Sequence, residues 1–483
     1  PHTQLYTLSL HDALPILATL GHGSKNHQTP NIDKLAKQSM VFTNAYTQQN
    51  SAPTRAALLT GQYANRTHVY NVFGLDRYAK GKEAGIKQEE ARIVPAAQEK
   101  ESLQPGTLNY ARLLRDAGYN TYIFGKVHGF KINEEDDCGF THNFECSKKV
   151  KEDKKEASNY FAFKTKDGKW IFDNPLYNQF AAPYTEDYIR KNLLPFANGN
   201  DPLTLKGTKK HFTDAIGDVV INEIANADKN KPFSMWVAFH AIHSAIVSRD
   251  DLYAKYRERT TLDNRHENFK YAALTEQLDQ TVGRILAALD DPNGDGDQSD
   301  SMRDNTVVIF LSDNGGVHGG NHSNAPLKWA KGTLYEGGIR VPMMVRYPNL
   351  IKNSGVSAEP VHVIDFLPTF LDFAGVKYTH KKHKLDGESI VPLLAGKAKQ
   401  LDRDAICWHF PGYMDERGIP ASVINKRVDG KRYKYRYCYE YDTHELYNLT
   451  DDMGETVNLL EGNVTKSNLK IGKIGRASCR ERV

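Results

Sequence analysis

Two kinds of apolar pattern alternate along the chain. Short, nearly continuous apolar runs occur at residues 119–124 (YNTYIF), 233–239 (FSMWVAF), 305–311 (NTVVIFL) and 341–347 (VPMMVRY). Runs this short with no polar face predict strands buried on both sides. Between them lie segments with helical spacing, at 32–39 (IDKLAKQS), 108–117 (LNYARLLRDA, stopped by Gly118) and 266–289. The last has apolar residues at Leu274, Leu278, Val282, Ile285 and Leu286, one stripe of a long helix. Residues 361–374 (VHVIDFLPTFLDFA) continue the alternation. Buried strands separated by helices predict an α/β fold, a large mostly parallel sheet sandwiched by helices.

The texture changes after Lys397. Residues 405–413, 422–429 and 431–442 (KRYKYRYCYEYD) alternate apolar and polar side chains. That period predicts strands with one wet face, hence a small C-terminal antiparallel sheet subdomain over 398–473. The lysine-rich stretch 147–175 reads as a surface insertion.

The two ends carry a different signal. Codons that encode IGRASCRERV (474–483), read on the opposite strand in a shifted frame, encode TLSLHDALPI (7–16). Residues 1–16 and 474–483 are therefore read as translated sequencing adapter and set aside from fold reasoning. On that reading the α/β domain spans 17–397 and lacks its first strand.

Composition adds limits. The net charge of +4 on 483 residues gives no argument for nucleic acid. No run of 18 apolar residues suggests a membrane span. The 25 tyrosines suit a carbohydrate surface. Of five cysteines, Cys479 lies in the adapter-like end, and Cys138 and Cys146 are close enough for a small loop disulfide. No CxxC pair suggests zinc.

In open α/β sheets, sites form beyond the carboxyl ends of strands. Three buried strands end in polar clusters: Gly125-Lys126-Val127-His128, His240-Ala241-Ile242-His243 and Ser312-Asp313-Asn314-Gly315-Gly316. A fourth cluster, SAPTRAALLTG (51–61), puts Ser51 at or just before a helix start, with Pro53 in the first turn and Arg55 one turn on. Ser51 reads equally as a simple helix cap. Asp313 and Asn314 are hard oxygen ligands suited to Ca²⁺ or Mg²⁺. Arg55, Lys126 and Lys331 suit a tetrahedral anion, and the histidines suit proton transfer.

Taken together, TPNIDKLAKQSMVFTNAY (29–46), SAPTRAALLTG, FGKVH (124–128), SDNGG (312–316), KGTLYEGGIRVP (331–342) and ELYNLTDDMGETVNL (445–459) resemble the type I sulfatase family of the alkaline phosphatase superfamily. The resemblance covers 17–473. It implies an alkaline-phosphatase-like fold and hydrolysis of sulfate monoesters, on sulfated glycans or aryl sulfates. It implies that Ser51 is oxidised to formylglycine by a maturase of the bacterial Ser-type route. It implies that Arg55 steadies that group, that Lys126 and Lys331 hold sulfate oxygens, and that His243 protonates the leaving alcohol. His128 would help expel sulfate and regenerate the aldehyde. Asp313 and Asn314 would bind calcium, which also touches residue 51. Periplasmic or secreted location in a bacterium follows from the same resemblance. Two alternatives stay open: a phosphate or phosphonate monoester hydrolase of the superfamily, and a non-catalytic glycan-binding relative.

The chain departs from the family pattern twice. The family's first strand ends in an Asp-Asp pair that completes the metal site, and here that place is adapter-like sequence, with Asp12 no substitute. The polypeptide as given is thus expected to bind metal poorly and be inactive. The second histidine of His240-Ala-Ile-His243-Ser-Ala also lacks the family's flanking prolines. Separately, Asp291-Pro-Asn293-Gly-Asp295-Gly296-Asp297 matches the start of a calcium loop, but Met302 stands where the closing Glu belongs. It reads as a solvated insertion, with a second calcium over 291–302 left open.

Overall fold

The computed structural model describes residues 3–10, 26–72, 75, 90–92, 102–132, 136–145, 160–172, 174–259, 268–319, 323–414 and 418–482. In chain order the first strands are β1 (Gln4–Leu10), β2 (Met40–Tyr46), β3 (Asn120–Gly125), β4 (His142–Glu145), β5 (Phe163–Lys164), β6 (Trp170–Ile171) and β7 (Phe233–Ala238). They are followed by β8 (Thr306–Ser312), β9 (Arg340–Arg346), β10 (Gly355–Ser357), β11 (Val361–His362), β12 (Ala405–Phe410), β13 (Ala421–Val428), β14 (Lys431–Cys438) and β15 (Thr443–Asn448).

The central sheet runs β10-β2-β9-β8-β1-β7-β3-β4, with β11 also on β2. Only β9 is antiparallel to its neighbours, β8 and β2. Alternate side chains enter two cores. Leu5, Ile123, Trp236 and Ile309 face a core with the helix α2 (Ser51–Thr60) and Tyr110–Asp116. Tyr6, Phe124, Val237 and Val308 face the other, with the helices Phe212–Ala225 and Phe269–Asp290. This is the period-2 rule applied to strands covered on both faces. The helix α1 (Pro30–Lys37) is tied to the long helix: the Asn31 and Ile32 N–H groups donate to Asp279 at 3.2 and 2.7 Å.

Two stretches set aside in the sequence reading take up regular structure. Gln4–Leu10, set aside as adapter, is a central strand, parallel to β7 on one side and β8 on the other. The physical reason is that a sheet ladder is made by backbone groups, and QLYTLSL offers β-competent side chains that both cores accept. The first-strand slot is therefore filled. At the other end, Lys466–Arg482 forms a helix on the C-terminal sheet, with Ile471 in a cluster with Tyr435 and Leu446.

The C-terminal strands form an antiparallel sheet ordered β12-β13-β14-β15. Its inner face grips the larger body through the Trp408 indole N–H, which donates to the Thr47 carbonyl at 2.8 Å. Lys434 Nζ lies 3.1 Å from Glu336 and 2.9 Å from Glu455, all three fully buried. Of the insertion, only a two-stranded hairpin, β5 with β6, and its surroundings lie among the described residues. Cys138 is a buried free thiol, and Cys146 lies outside the described residues. Among the described residues, no helix is long and apolar enough to cross a membrane.

Candidate active site

Strand register brings the site together. Gly125 pairs with Ala238, Ala238 with Ser9, and Ser9 with Leu311. The segments leaving β3, β7 and β8 therefore emerge side by side on one sheet edge. Gly125 has φ +81°, and a Cβ there would lie 2.1 Å from the Ala238 carbonyl oxygen. Only glycine permits that approach, and it lets the Lys126 N–H donate to the same carbonyl at 2.8 Å.

Helix α2 points its N-terminus into this edge. Asn50, not Ser51, is the cap residue, so the simple-cap reading of Ser51 does not hold. Ser51 is buried in the first turn, and its Oγ donates to Asn314 Oδ1 at 3.3 Å. One turn later, Arg55 is fully buried and bridges two strand ends. Its Nη1 donates to the Lys126 carbonyl at 2.8 Å, and its Nη2 to Asp313 Oδ2 at 2.9 Å. The guanidinium stands 5.6 Å from the Trp236 ring, whose Nε1 donates to Ser9 Oγ at 3.0 Å. Sequence reasoning missed Trp236, because within FSMWVAF it carries only a core signal.

The β3 and β7 ends bring Lys126 together with three histidines. His128 is held far below the usual histidine range, chiefly by burial and then by Lys126, Arg55, His240 and His243. Burial and then Lys126, Arg55 and His243 push His240 down to about 3. Both imidazoles are neutral at pH 7. His240 joins the group the sequence singled out, stacked edge-on to Phe212 at 5.9 Å. Nδ1 of His243 donates to the Ser244 carbonyl at 2.6 Å, and its backbone carbonyl accepts from Tyr160 at 3.5 Å. Nδ1 therefore carries a proton, leaving Nε2 as the atom for exchange.

Lys331 lies on the loop after β8. The Lys331 N–H donates to the Gly316 carbonyl at 3.0 Å, and the Gly332 N–H to the Gln49 carbonyl at 2.8 Å. The second bond ties the loop to the residues just before Ser51. Glu336, five residues on, is locked by Lys434 and by Tyr46, whose OH donates to it at 2.9 Å.

For a metal, Asp313 and Asn314 are buried oxygen donors, Asn314 beside Ser51, and in kind they fit a hard cation. They supply one carboxylate only, and that one already balances Arg55. Among the described residues no group of three or more His, Cys, Asp or Glu could hold a metal ion. Asp12 lies outside those residues. In the 291–297 loop, Asp291 accepts from the Gly294 and Gly296 N–H groups at 2.8 and 2.9 Å, as a turn does.

A buried serine at a helix start, an oxygen-donor pair and a lysine–histidine cluster at strand ends match a known pattern. The sulfatase family model covers residues 16–376. The chain belongs to the sulfatase family. A second model, for the C-terminal region of N-sulphoglucosamine sulphohydrolase, matches 327–471. A sulfatase of Formosa agariphila is 44% identical over 465 residues, covering 94% of this chain and 82% of that one. Human N-acetylgalactosamine-6-sulfatase is 27% identical over 393 residues, covering 79% and 64%. The fold is shared with Ps i-CgsB in complex with k-i-k-neocarrahexaose, at TM-score 0.70 and 23% identity, covering 100% of this chain and 92% of that one. It is also shared with BT4656 in complex with D-glucosamine-2-N,6-O-disulfate, at TM-score 0.62 and 18% identity, covering 100% and 98%. Membership makes the chain a sulfuric ester hydrolase, its sheet the family's mixed, mostly parallel one with a C-terminal antiparallel sheet.

Proposed function

We propose that this sulfatase hydrolyses sulfate monoesters on sulfated glycans, using formylglycine made from Ser51 and a calcium ion held by Asp313 and Asn314. The observation that carries the reading is the meeting of Ser51, Asn314 and the Arg55–Asp313 pair beside a cluster of Lys126, His128, His240 and His243. When present, the oxidised residue 51 would supply a hydrated aldehyde as nucleophile, and a cation held by Asp313 and Asn314 would supply positive charge. The chain's own residues do the rest. Lys126 and Lys331 bind sulfate oxygens, and Arg55 holds residue 51 and Asp313 in register. Neutral His128 accepts a proton from the hydroxyl of residue 51. His243, in its imidazolium form, would deliver one from Nε2 to the leaving alcohol and keep the proton on Nδ1. A glycan substrate is supported by the sugar complexes of the fold relatives, and maturation of Ser51 requires a formylglycine-generating maturase. Periplasmic or secreted location belongs to the same reading.

Among the described residues no group of three metal-holding side chains completes the site, so the assay is run with added calcium. Turnover of 4-nitrophenyl sulfate, well above that of 4-nitrophenyl phosphate and dependent on co-produced maturase, is expected. Preference for the phosphate ester, or sulfate turnover without maturation, overturns the reading.

A further inference from the structure

A second site candidate lies away from the strand ends. Between the β10–β2 edge of the central sheet and the β13–β14 turn is a cavity of about 890 Å³. None of Ser51, Arg55, Lys126, His128, His243, Asp313 or Lys331 lines it. Its size and its seat between two packed sheets are those of small-molecule sites.

The wall is unbalanced in charge. Arg340, Lys399, Arg427 and Arg432 line it against a single carboxylate, Glu359. Glu359 is shared: Arg427 Nη2 donates to it, and Arg432 Nη2 stands 3.6 Å away. One negative charge answers two guanidinia. Arg432 is pushed down to about 10, first by burial and then by Arg427, which agrees with positive charge lacking a counterion. Arg340 has its own partner, Glu336, at 3.6 Å.

The wall also holds idle acceptors. Asn425 is 1% exposed, and its Oδ1 has no hydrogen-bond partner among the described residues; the same is true of Asn324 Oδ1. Such oxygens call for donors. An anion alone brings none, and a neutral sugar leaves the guanidinia unanswered. A molecule with both hydroxyls and a negative group meets both demands. We propose that this cavity is a separate binding site for a sulfated sugar, its sulfate toward Arg427 and Arg432 and its hydroxyls toward Asn425 and Asn324. Occupancy there does not require chemistry at Ser51.

Calorimetric titration with N-acetylglucosamine 6-sulfate tests this on a Lys126→Ala/Lys331→Ala chain, whose Ser51 site has lost its anion holders. Binding of one equivalent should remain. Ala358→Trp, at an exposed position on the rim, should weaken it at least tenfold, and so should Arg427→Gln. Neutral N-acetylglucosamine should bind at least tenfold more weakly than the sulfated sugar. Ala358→Trp keeps the test decisive if loss of the Arg427 pair unfolds the protein. Absence of residual binding, residual binding unchanged by Ala358→Trp, or equal binding of the neutral sugar overturns the proposal. None of these outcomes bears on Ser51 maturation or ester turnover, which are read separately.

Discussion

The two halves of the strand-end site handle charge in opposite ways. At the β8 end, positive and negative groups are matched inside the protein: Arg55 and Asp313 are both buried, 2.9 Å apart. At the β3 and β7 ends, Lys126, His128, His240 and His243 face one another, and no carboxylate appears among the groups that shift His240. Burial and like charge keep His128 and His240 neutral there. The difference teaches where an anion belongs. On the proposed reading, the matched Arg55–Asp313 half is the frame, and the unmatched half with Lys126 and the histidines is where a sulfate would sit.

Breaking the matched half should have the largest effect. Arg55→Met leaves Asp313 buried without its cation and should cost about 3–5 kcal/mol of stability, read from denaturant midpoints. Adding Asp313→Asn should return a large part of that loss, because the stranded charge is gone. An unchanged midpoint in Arg55→Met would mean the pair is not the frame.

The unmatched half should respond in ligand affinity more than in stability. Lys126→Ala removes a charged donor and should weaken sulfate binding by roughly tenfold to a hundredfold. It should also raise the His128 and His240 pKa values, followed by NMR titration, since Lys126 is the largest charge acting on both. A pH effect follows with a definite sign. His240 falls from 6.5 to about 3 on folding, so the unfolded chain binds that proton more readily. Its contribution to stability is lost as pH drops from about 6.5 toward 3. His240→Asn should flatten the fall of the unfolding midpoint over that window, and saturating sulfate should flatten it in the parent chain.

The smallest effect is expected outside both halves. Asp295→Ala in the exposed 291–297 loop should leave stability within about 0.5 kcal/mol and calcium stoichiometry unchanged. Loss of one bound calcium would give that loop a metal role.

Much of this arrangement was legible in the chain. NTVVIFL and FSMWVAF read as buried strands because both faces are apolar, and the polar clusters after them marked the site edge. The C-terminal sheet was legible from its alternation, although β15 was seen only as part of a family mark. What was not legible depends on partners distant in sequence. Trp236 supports Arg55 only because Ser9 and α2 meet it in space. His240 was marked as a strand-end candidate, but that it meets Lys126 and His128 follows from the register of β3 with β7. The role of Gln4–Leu10 could not be read from the sequence, since its place depends on backbone pairing with β7 and β8, far away in the chain.

The central claim is that Ser51 is the residue on which the chemistry is built. The direct measurement is the mass of the peptide containing Ser51, from protein produced together with a Ser-type maturase. The account predicts a species lighter by two hydrogens, the aldehyde, which an aldehyde-specific hydrazine captures. Serine found only unmodified, in a host whose maturase converts a control sulfatase, would contradict it.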